Sequence, residues 1–223
     1  MKREEIVFGN LKIYVYSFEL MDSRMYMIRE NDEMLVVDPC EEPELLQDAE
    51  GVRKAMVLLT HEHFDHISGV NWLRAHFECQ VYATEICARH VQSIKENLSS
   101  RFAFLFILDK EKYDYVRNNI KLPYVCYVDK SFEKYAEFAW CSHNIELYEV
   151  GGHSPGSCMI LLDDNMLFSG DNILANGKEL AGTDADAEGY EKIVRPFTRQ
   201  LRKDTYILPG HGESGNLEFF LGE

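Results

Sequence analysis

Five times along this chain a candidate strand, in most cases a short apolar run, leads to a side chain able to bind a metal ion. Met34-Leu35-Val36-Val37 ends at Asp38, and residues 55–59 lead through Thr60 to His61. Residues 145–150 precede His153, residues 166–169 precede Asp171, and Tyr206-Ile207-Leu208 runs through Pro209-Gly210 to His211. Short continuous apolar runs bounded by turn residues are the pattern of strands buried on both faces. A chain built this way carries its polar chemistry at the ends of strands, not on their faces.

Between these runs the pattern alternates. Residues 11–17 switch between apolar and polar side chains, and residues 24–29 form a further short candidate strand. Residues 41–51 have helical composition, residues 70–77 read as a helix, and residues 80–83 and 159–162 read as strands. Strand–helix–strand alternation is an α/β signature. Residues 85–119 turn helical and aromatic, and the stretch from Arg101 to Leu108 is apolar enough for a buried helix or a lid over a pocket. Residues 184–203 read as a helix that Pro196 is expected to kink or interrupt. There is no internal repeat and no Pro/Gly/Ser linker, so the 223 residues are expected to form one domain over 1–223, with residues 85–122 as a helical, aromatic-rich insertion.

Composition narrows the partners. Acidic residues outnumber basic ones 38 to 23, for a formal charge of −15. A nucleic-acid binder carries a basic footprint, and the local set Arg195, Arg199, Arg202 and Lys203 reads as the solvated face of a helix. No apolar run reaches the roughly 20 residues that span a bilayer, and the charged start Met1-Lys2-Arg3-Glu4-Glu5 lacks the features of a secretory signal. The expected setting is the cytoplasm and the expected partner a small molecule, with neither nucleic acid nor membrane. Cysteines 40, 79, 87, 126, 141 and 158 form no C-x-x-C pair, and the expectation for them is small buried hydrophobes. Cys40, two residues after Asp38, is the one to watch.

The densest chemistry is His61-Glu62-His63-Phe64-Asp65-His66. Imidazoles and carboxylates are ligands for zinc and similar ions, and His61, His63, Asp65 and His66 supply four such groups in six residues. Spacings of two and three prevent all four from sharing one helical face, so they must wrap a turn at a strand's end. Such a set can serve two adjacent ions. The zincin pattern H-E-x-x-H begins at His61-Glu62 but meets Asp65 where its second histidine belongs. The deaminase pattern P-C-x-x-C fails at Pro39-Cys40-Glu41-Glu42-Pro43. His76, His90 and His143 stand outside any motif and read as satisfied imidazoles. Ser154 and Ser157 read as loop hydrogen-bonders, not nucleophiles.

In this arrangement the chain resembles the metallo-β-lactamase superfamily. The resemblance rests on His61-x-His63-x-Asp65-His66 and on four further motifs in order: Val36-Val37-Asp38-Pro39, Gly151-Gly152-His153-Ser154-Pro155-Gly156-Ser157, Phe168-Ser169-Gly170-Asp171 and Leu208-Pro209-Gly210-His211-Gly212. It implies a four-layer αββα sandwich with the metals at one edge of two sheets, and two divalent ions, zinc above all, with iron or manganese also compatible with these ligands. One ion would be held by His61, His63 and His153, the other by Asp65, His66 and His211. Asp171 would bridge them, and Asp38 would orient a ligand imidazole by hydrogen bonding.

The activity implied is hydrolysis by a metal-bridging hydroxide, with Asp65 orienting the nucleophile and passing a proton to the leaving group. The segments around His153 and Asp171 are most similar to the glyoxalase II and lactonase-like branches, which implies a small thioester or lactone. Glyoxalase II carries a helical C-terminal domain for glutathione, whereas only Glu213 to Glu223 stand beyond the last motif here, so hydroxyacylglutathione itself is not expected and simple thioesters stay open. Lactonases of this fold carry a tyrosine three residues after the bridging aspartate; this chain has Leu174, and Tyr190 is the candidate to take its place. Phe102, Phe104, Phe106 and Tyr113 are expected to wall or cover the substrate pocket. Two other activities share the fold: an iron persulfide dioxygenase using His61, His153 and Asp171, and a phosphodiesterase or nuclease.

Overall fold

A computed structural model describes residues 2–175, 177–182 and 184–221. The apolar runs pair into two sheets. The first contains β1 (Lys2–Phe8), β2 (Leu11–Phe18), β3 (Ser23–Glu30), β4 (Glu33–Val37), β5 (Lys54–Leu58), β6 (Glu78–Thr84) and β7 (Lys130–Phe132), in that spatial order. β1 to β4 form an antiparallel meander, and β4 to β7 run parallel. The second sheet has the order β13 (Gly215–Asn216), β12 (Tyr206–Pro209), β11 (Met166–Gly170), β10 (Cys158–Leu162), β9 (His143–Glu149) and β8 (Tyr135–Trp140).

Period-2 alternation decides which side chains face which layer. Ile13, Val15, Tyr26, Ile28, Leu35 and Val37 point from the first sheet toward Ile145, Ile160, Leu162, Phe168 and Leu208 of the second. The alternate residues Met25, Met27, Met34 and Val36 pack outward on Leu45 of α1 (Leu45–Asp48), Ile67 of α2 (Phe64–Ile67), Val70 and Leu73 of α3 (Val70–His76) and Cys87 of α4 (Glu85–His90). The outer face of the second sheet, with Met159, Leu161, Leu167 and Ile207, packs on Val194 and Leu217 of the C-terminal helical segments. Helices, sheet, sheet, helices: these are the four layers of an αββα sandwich, as the resemblance implied.

Parallel register brings strand ends together. Val37 lies opposite Leu58, and Asp38 N–H donates to the Leu58 carbonyl at 3.1 Å, so Asp38 and the His61 turn share one edge. On the second sheet Gly170 lies opposite Pro209, which sets Asp171 beside His211. Two backbone bonds stitch the sheets at this edge: Cys158 N–H to the Thr60 carbonyl and Arg24 N–H to the Gly210 carbonyl, each 2.8 Å. The Tyr26 hydroxyl adds a third, donating to the Pro209 carbonyl at 2.6 Å.

Several elements differ from the sequence reading. The helix expected over 41–51 shrinks to the single turn α1, between Pro43 and the left-handed Gly51. The helical stretch 85–119 divides into α4, a 3-10 segment (Ser99–Phe106) and α5 (Lys110–Asn119). Leu98 at φ 62° breaks the run, while Thr84 and Asp109 cap α4 and α5 by accepting from Cys87 N–H and Lys112 N–H. Pro196 does not interrupt its helix. Residues Tyr190–Val194 widen to π geometry, and the proline falls in the first turn of the following helix (Arg195–Gln200), where its missing N–H is tolerated. β1 and β8 alternate exposed and half-buried positions and are rich in charge or aromatics, so no apolar run marks them. Among the described residues no helix is long and apolar enough to cross a membrane.

Candidate metal centre

His61 and His63 lie in the turn after β5, and Asp65 and His66 fall in the first turn of α2, for which His63 is the N-cap. His153 comes from the turn between β9 and β10, Asp171 follows β11 and His211 follows β12. All seven meet at one edge of the sandwich. His61, His66, His153, Asp65 and Asp171 are buried, and His63 and His211 are half-buried.

The ring nitrogens face one another in pairs. His63 Nδ1 is 3.1 Å from His153 Nε2, and His66 Nε2 is 3.2 Å from His211 Nε2. Asp65 Oδ2 lies 3.5 Å from both His66 Nε2 and His211 Nε2. Two clusters result, His61/His63/His153 and Asp65/His66/His211, with donor atoms all within 4.8 Å of one another in each. Asp171 stands between them: Oδ2 is 3.5 Å from His153 Nε2 and 3.3 Å from His211 Nε2, and Oδ1 is 3.6 Å from His66 Nε2.

These spacings suit a shared cation. Ligands about 2.0–2.1 Å from a tetrahedral ion stand roughly 3.3 Å apart. The orphaned atoms agree: His61 Nε2 and Asp171 Oδ1 are buried and have no hydrogen-bond partner. Buried polar atoms without partners are costly, and a cation at this edge would satisfy both.

The opposite ring edges are anchored, which sets the tautomers. His153 Nδ1–H donates to the Glu179 carbonyl at 2.8 Å and His211 Nδ1–H to the Met21 carbonyl at 2.9 Å. Asp38 is the hub for the other two. It accepts Thr60 N–H at 2.7 Å, the Thr60 hydroxyl, and His66 Nδ1–H at 3.0 Å. Because the Thr60 hydrogen goes to Asp38, its oxygen is left to accept His61 Nδ1–H at 3.0 Å. Asp38 therefore orients one imidazole of each cluster. It sits at φ 51°, a left-handed conformation that Asp tolerates. Its oxygens are filled, so the grouping of Asp38 with His61 and His66 is a support, not a ligand set.

Charge separates the two clusters. Burial, reinforced by His66 and His63, drives the His61 imidazole well below its ordinary value, and burial likewise lowers His153. Burial also opposes charge on His66, but Asp65, Asp171 and Asp38 overcome it and hold that ring up at about 10. His211 is raised in the same way by Asp171. Burial disfavours the Asp171 carboxylate, yet His66 and His211 keep it well below the usual carboxylate range.

The residues expected to wall the pocket divide. Phe102 and Phe106 are buried in a cluster with Phe64 and Val116, inside it instead of on an open wall; Tyr113 packs against that cluster. Phe64 meets Phe102 edge-on at 4.7 Å, so these rings reach the metal turn through Phe64, the neighbour of His63. Phe104 is 57% exposed and lines a surface cavity with Ser99, Ala103 and Arg117. Tyr190 belongs to the outer helical layer, its ring behind the Gly152-His153 turn. Burial pushes its hydroxyl up to about 12. Cys40 is buried with its thiol pushed up to about 12, first by burial and then by Glu42, which makes it unreactive. All six cysteines are free.

Several residues at the site carry no motif of their own. Thr60 is the relay from Asp38 to His61. Asn172 Oδ1 accepts His153 N–H at 3.1 Å and fits against Gly152, where a Cβ would stand 2.6 Å from it. Asp184 Oδ2 lies 3.7 Å from His63 Nε2, and its Oδ1 is 3.9 Å from the Arg101 guanidinium. Position directly after Gly-Asp or directly before His was the only signal for Asn172 and Thr60; Asp184 had none. Of the isolated histidines, His76 bonds the Trp72 carbonyl and His143 is paired with Asp163 and Glu30, both as satisfied imidazoles. His90 instead reaches Glu62, inside the metal turn.

A family model described as the metallo-beta-lactamase superfamily matches residues 20–211. A probable metallo-hydrolase (YqgX) of Bacillus subtilis is 23% identical over 199 residues, 86% of each chain. Hydroxyacylglutathione hydrolase GloC of Haemophilus influenzae is 25% identical over 186 residues, 79% of each. Among solved structures, a metallo-beta-lactamase from Pontibacter korlensis superimposes with a TM-score of 0.69 at 18% identity, covering 99% of this chain and 96% of its own. That likeness concerns the fold.

Proposed function

The chain belongs to the metallo-beta-lactamase superfamily, and from that premise we propose a dinuclear zinc hydrolase of the cytoplasm that cleaves a small thioester or lactone. The observation that carries this reading is the Asp171 carboxylate standing 3.3–3.6 Å from donors of both clusters. His61 Nε2, His63 Nδ1 and His153 Nε2 would hold one ion. Asp65, His66 and His211 would hold the other, with Asp171 shared. Six free thiols fit a reducing compartment.

When bound, such ions make water acidic enough to act as a nucleophile near neutral pH and polarise a substrate carbonyl. The chain's own groups do the rest. Asp38, the Glu179 carbonyl and the Met21 carbonyl hold four imidazoles with one bare nitrogen turned inward, so little reorganisation remains at the moment of reaction. Asp65 is the acceptor that orients the nucleophile and returns the proton to the leaving thiolate or alkoxide. The insertion borders the mouth: Arg101 reaches Asp184, and Phe102 and Phe106 back Phe64. That placement supports a wall for the substrate there, with Phe104 at its outer face and Tyr190 behind the His153 turn. The name of the Haemophilus relative favours the thioester over the lactone.

The test joins metal content to turnover. Elemental analysis of purified protein is expected to give two zinc per chain, and simple acyl thioesters to release thiol. One iron per chain with oxygen uptake on a persulfide, or turnover confined to phosphodiesters, would sink this reading.

A further inference from the structure

The residue between His61 and His63 faces away from the metal edge. In an extended segment neighbouring side chains point to opposite sides, so two donors turned inward send Glu62 back into the protein, where it is 1% exposed. A carboxylate there requires partners, and it has three. Glu62 Oε1 accepts from His90 Nδ1 at 2.9 Å and from Gly156 N–H at 3.3 Å, and Oε2 accepts the Ser154 hydroxyl at 3.0 Å. These partners come from different segments. His90 is the last residue of α4, the helix that opens the insertion, and Ser154 and Gly156 belong to the turn that carries His153.

The same turn is held at the other end of α4, where the Thr84 hydroxyl donates to the Gly156 carbonyl at 2.9 Å. The fit is close. A Cβ on Gly156 would stand 2.3 Å from Glu62 Oε2 and 2.7 Å from the Cys87 nitrogen. We propose that Glu62 and His90 are a positioning pair that locks the turn of His61 and His63 to the turn of His153, so that α4 sets the geometry of the three-histidine cluster. Among the described residues, the hydrogen bonds and ion pairs of Glu62 and His90 do not include Asp65, His66 or His211, so that cluster should not depend on the pair. The inference rests on the reading that the three imidazoles share one ion.

Cobalt(II) titration tests it without substrate. In a His211→Ala background the three-histidine cluster alone keeps its full donor set, and its affinity and visible absorption can be read directly, with chelator competition. Glu62→Gln is expected to weaken cobalt binding about ten- to a hundredfold and to alter the absorption, with His90→Gln moving both in the same direction by less. His143→Gln, also an ion-paired histidine, should change neither. Wild-type affinity and spectrum in both Glu62→Gln and His90→Gln would overturn the proposal. So would a loss seen equally in a variant where His153 is replaced by Ala and the Asp65/His66/His211 cluster is read instead. Should Glu62→Gln fail to fold, His90→Gln and Ser154→Ala decide: unchanged cobalt binding in both overturns it. A parent protein that takes up cobalt but hydrolyses no thioester refutes the substrate reading and leaves this one standing. One that takes up no cobalt refutes the site and this inference together.

Discussion

The two donor clusters lie side by side yet are different solvents for a proton. The His61/His63/His153 cluster is all imidazole, and burial together with neighbouring rings holds His61 and His153 neutral. The Asp65/His66/His211 cluster is framed by carboxylates, which hold His66 up at about 10 and raise His211. Without metal, His61 and His153 have their lone pairs ready, whereas His66 and His211 store protons in the place of a cation. One stretch of six residues supplies both, so the difference is made by what the fold packs against each ring.

Asp171 is the point where the contrast can be broken outright. Its carboxylate oxygens lie 3.3–3.6 Å from ring nitrogens of both clusters, so Asp171→Ala should lower hydrolysis by about a thousandfold or more, several kcal/mol of lost electrostatic stabilisation. Metal content should fall with it. Turnover retained with one cluster emptied would show that the two clusters work independently.

Asp38 sharpens the comparison from behind, because it orients His66 directly and His61 through Thr60. Asp38→Ala should weaken metal binding at both clusters by about 10- to 100-fold, measured by chelator competition. The greater loss should fall on the Asp65/His66/His211 cluster, where the hydrogen bond is direct. An effect confined to the three-histidine cluster would reverse the assignment of the relay.

The smallest effect is in protons. A ring pKa raised to about 10 means that His66 is charged at neutral pH without metal and must lose its proton when an ion binds. Affinity at that cluster should therefore fall up to about tenfold for each pH unit below 10. At the three-histidine cluster, where burial holds His61 and His153 neutral, affinity should fall less steeply as pH drops from 8 to about 7. Calorimetry in buffers of different ionisation enthalpy would count the protons released. Equal release for both equivalents would remove the contrast.

Legibility in the sequence followed burial. Strands buried on both faces, such as β10 and β11, announce themselves as unbroken apolar runs, and the His61 turn, Asp171 and His211 follow such runs, whereas His153 follows the alternating β9. Edge strands do not: Lys2–Phe8 and Tyr135–Trp140 bury one face or less, so their composition resembles a loop. Helices depart from the sequence pattern where a single backbone angle decides, as at Leu98, or where a π turn absorbs a proline, as at Pro196. The aromatic run around Phe102 is visible in sequence. That Phe102 and Phe106 face Phe64, leaving Phe104 outside, depends on the 3-10 twist of that segment.

The sequence by itself determined an α/β class, through its apolar periods, and the candidate donor set, because metal-binding groups at strand ends are a local property of the chain. The four-layer αββα arrangement was implied by the resemblance. Tertiary structure decided how those donors divide into two clusters, which nitrogen of each imidazole faces inward, and which residues hold them there. Asp38 meets His66 across 28 positions, Glu62 meets His90 across 28 and Ser154 across 92, and Met21 meets His211 across 190. No local pattern encodes such pairings. They exist because parallel strands in register end at one edge, and because a buried carboxylate or imidazole must find its partner wherever the fold has placed one.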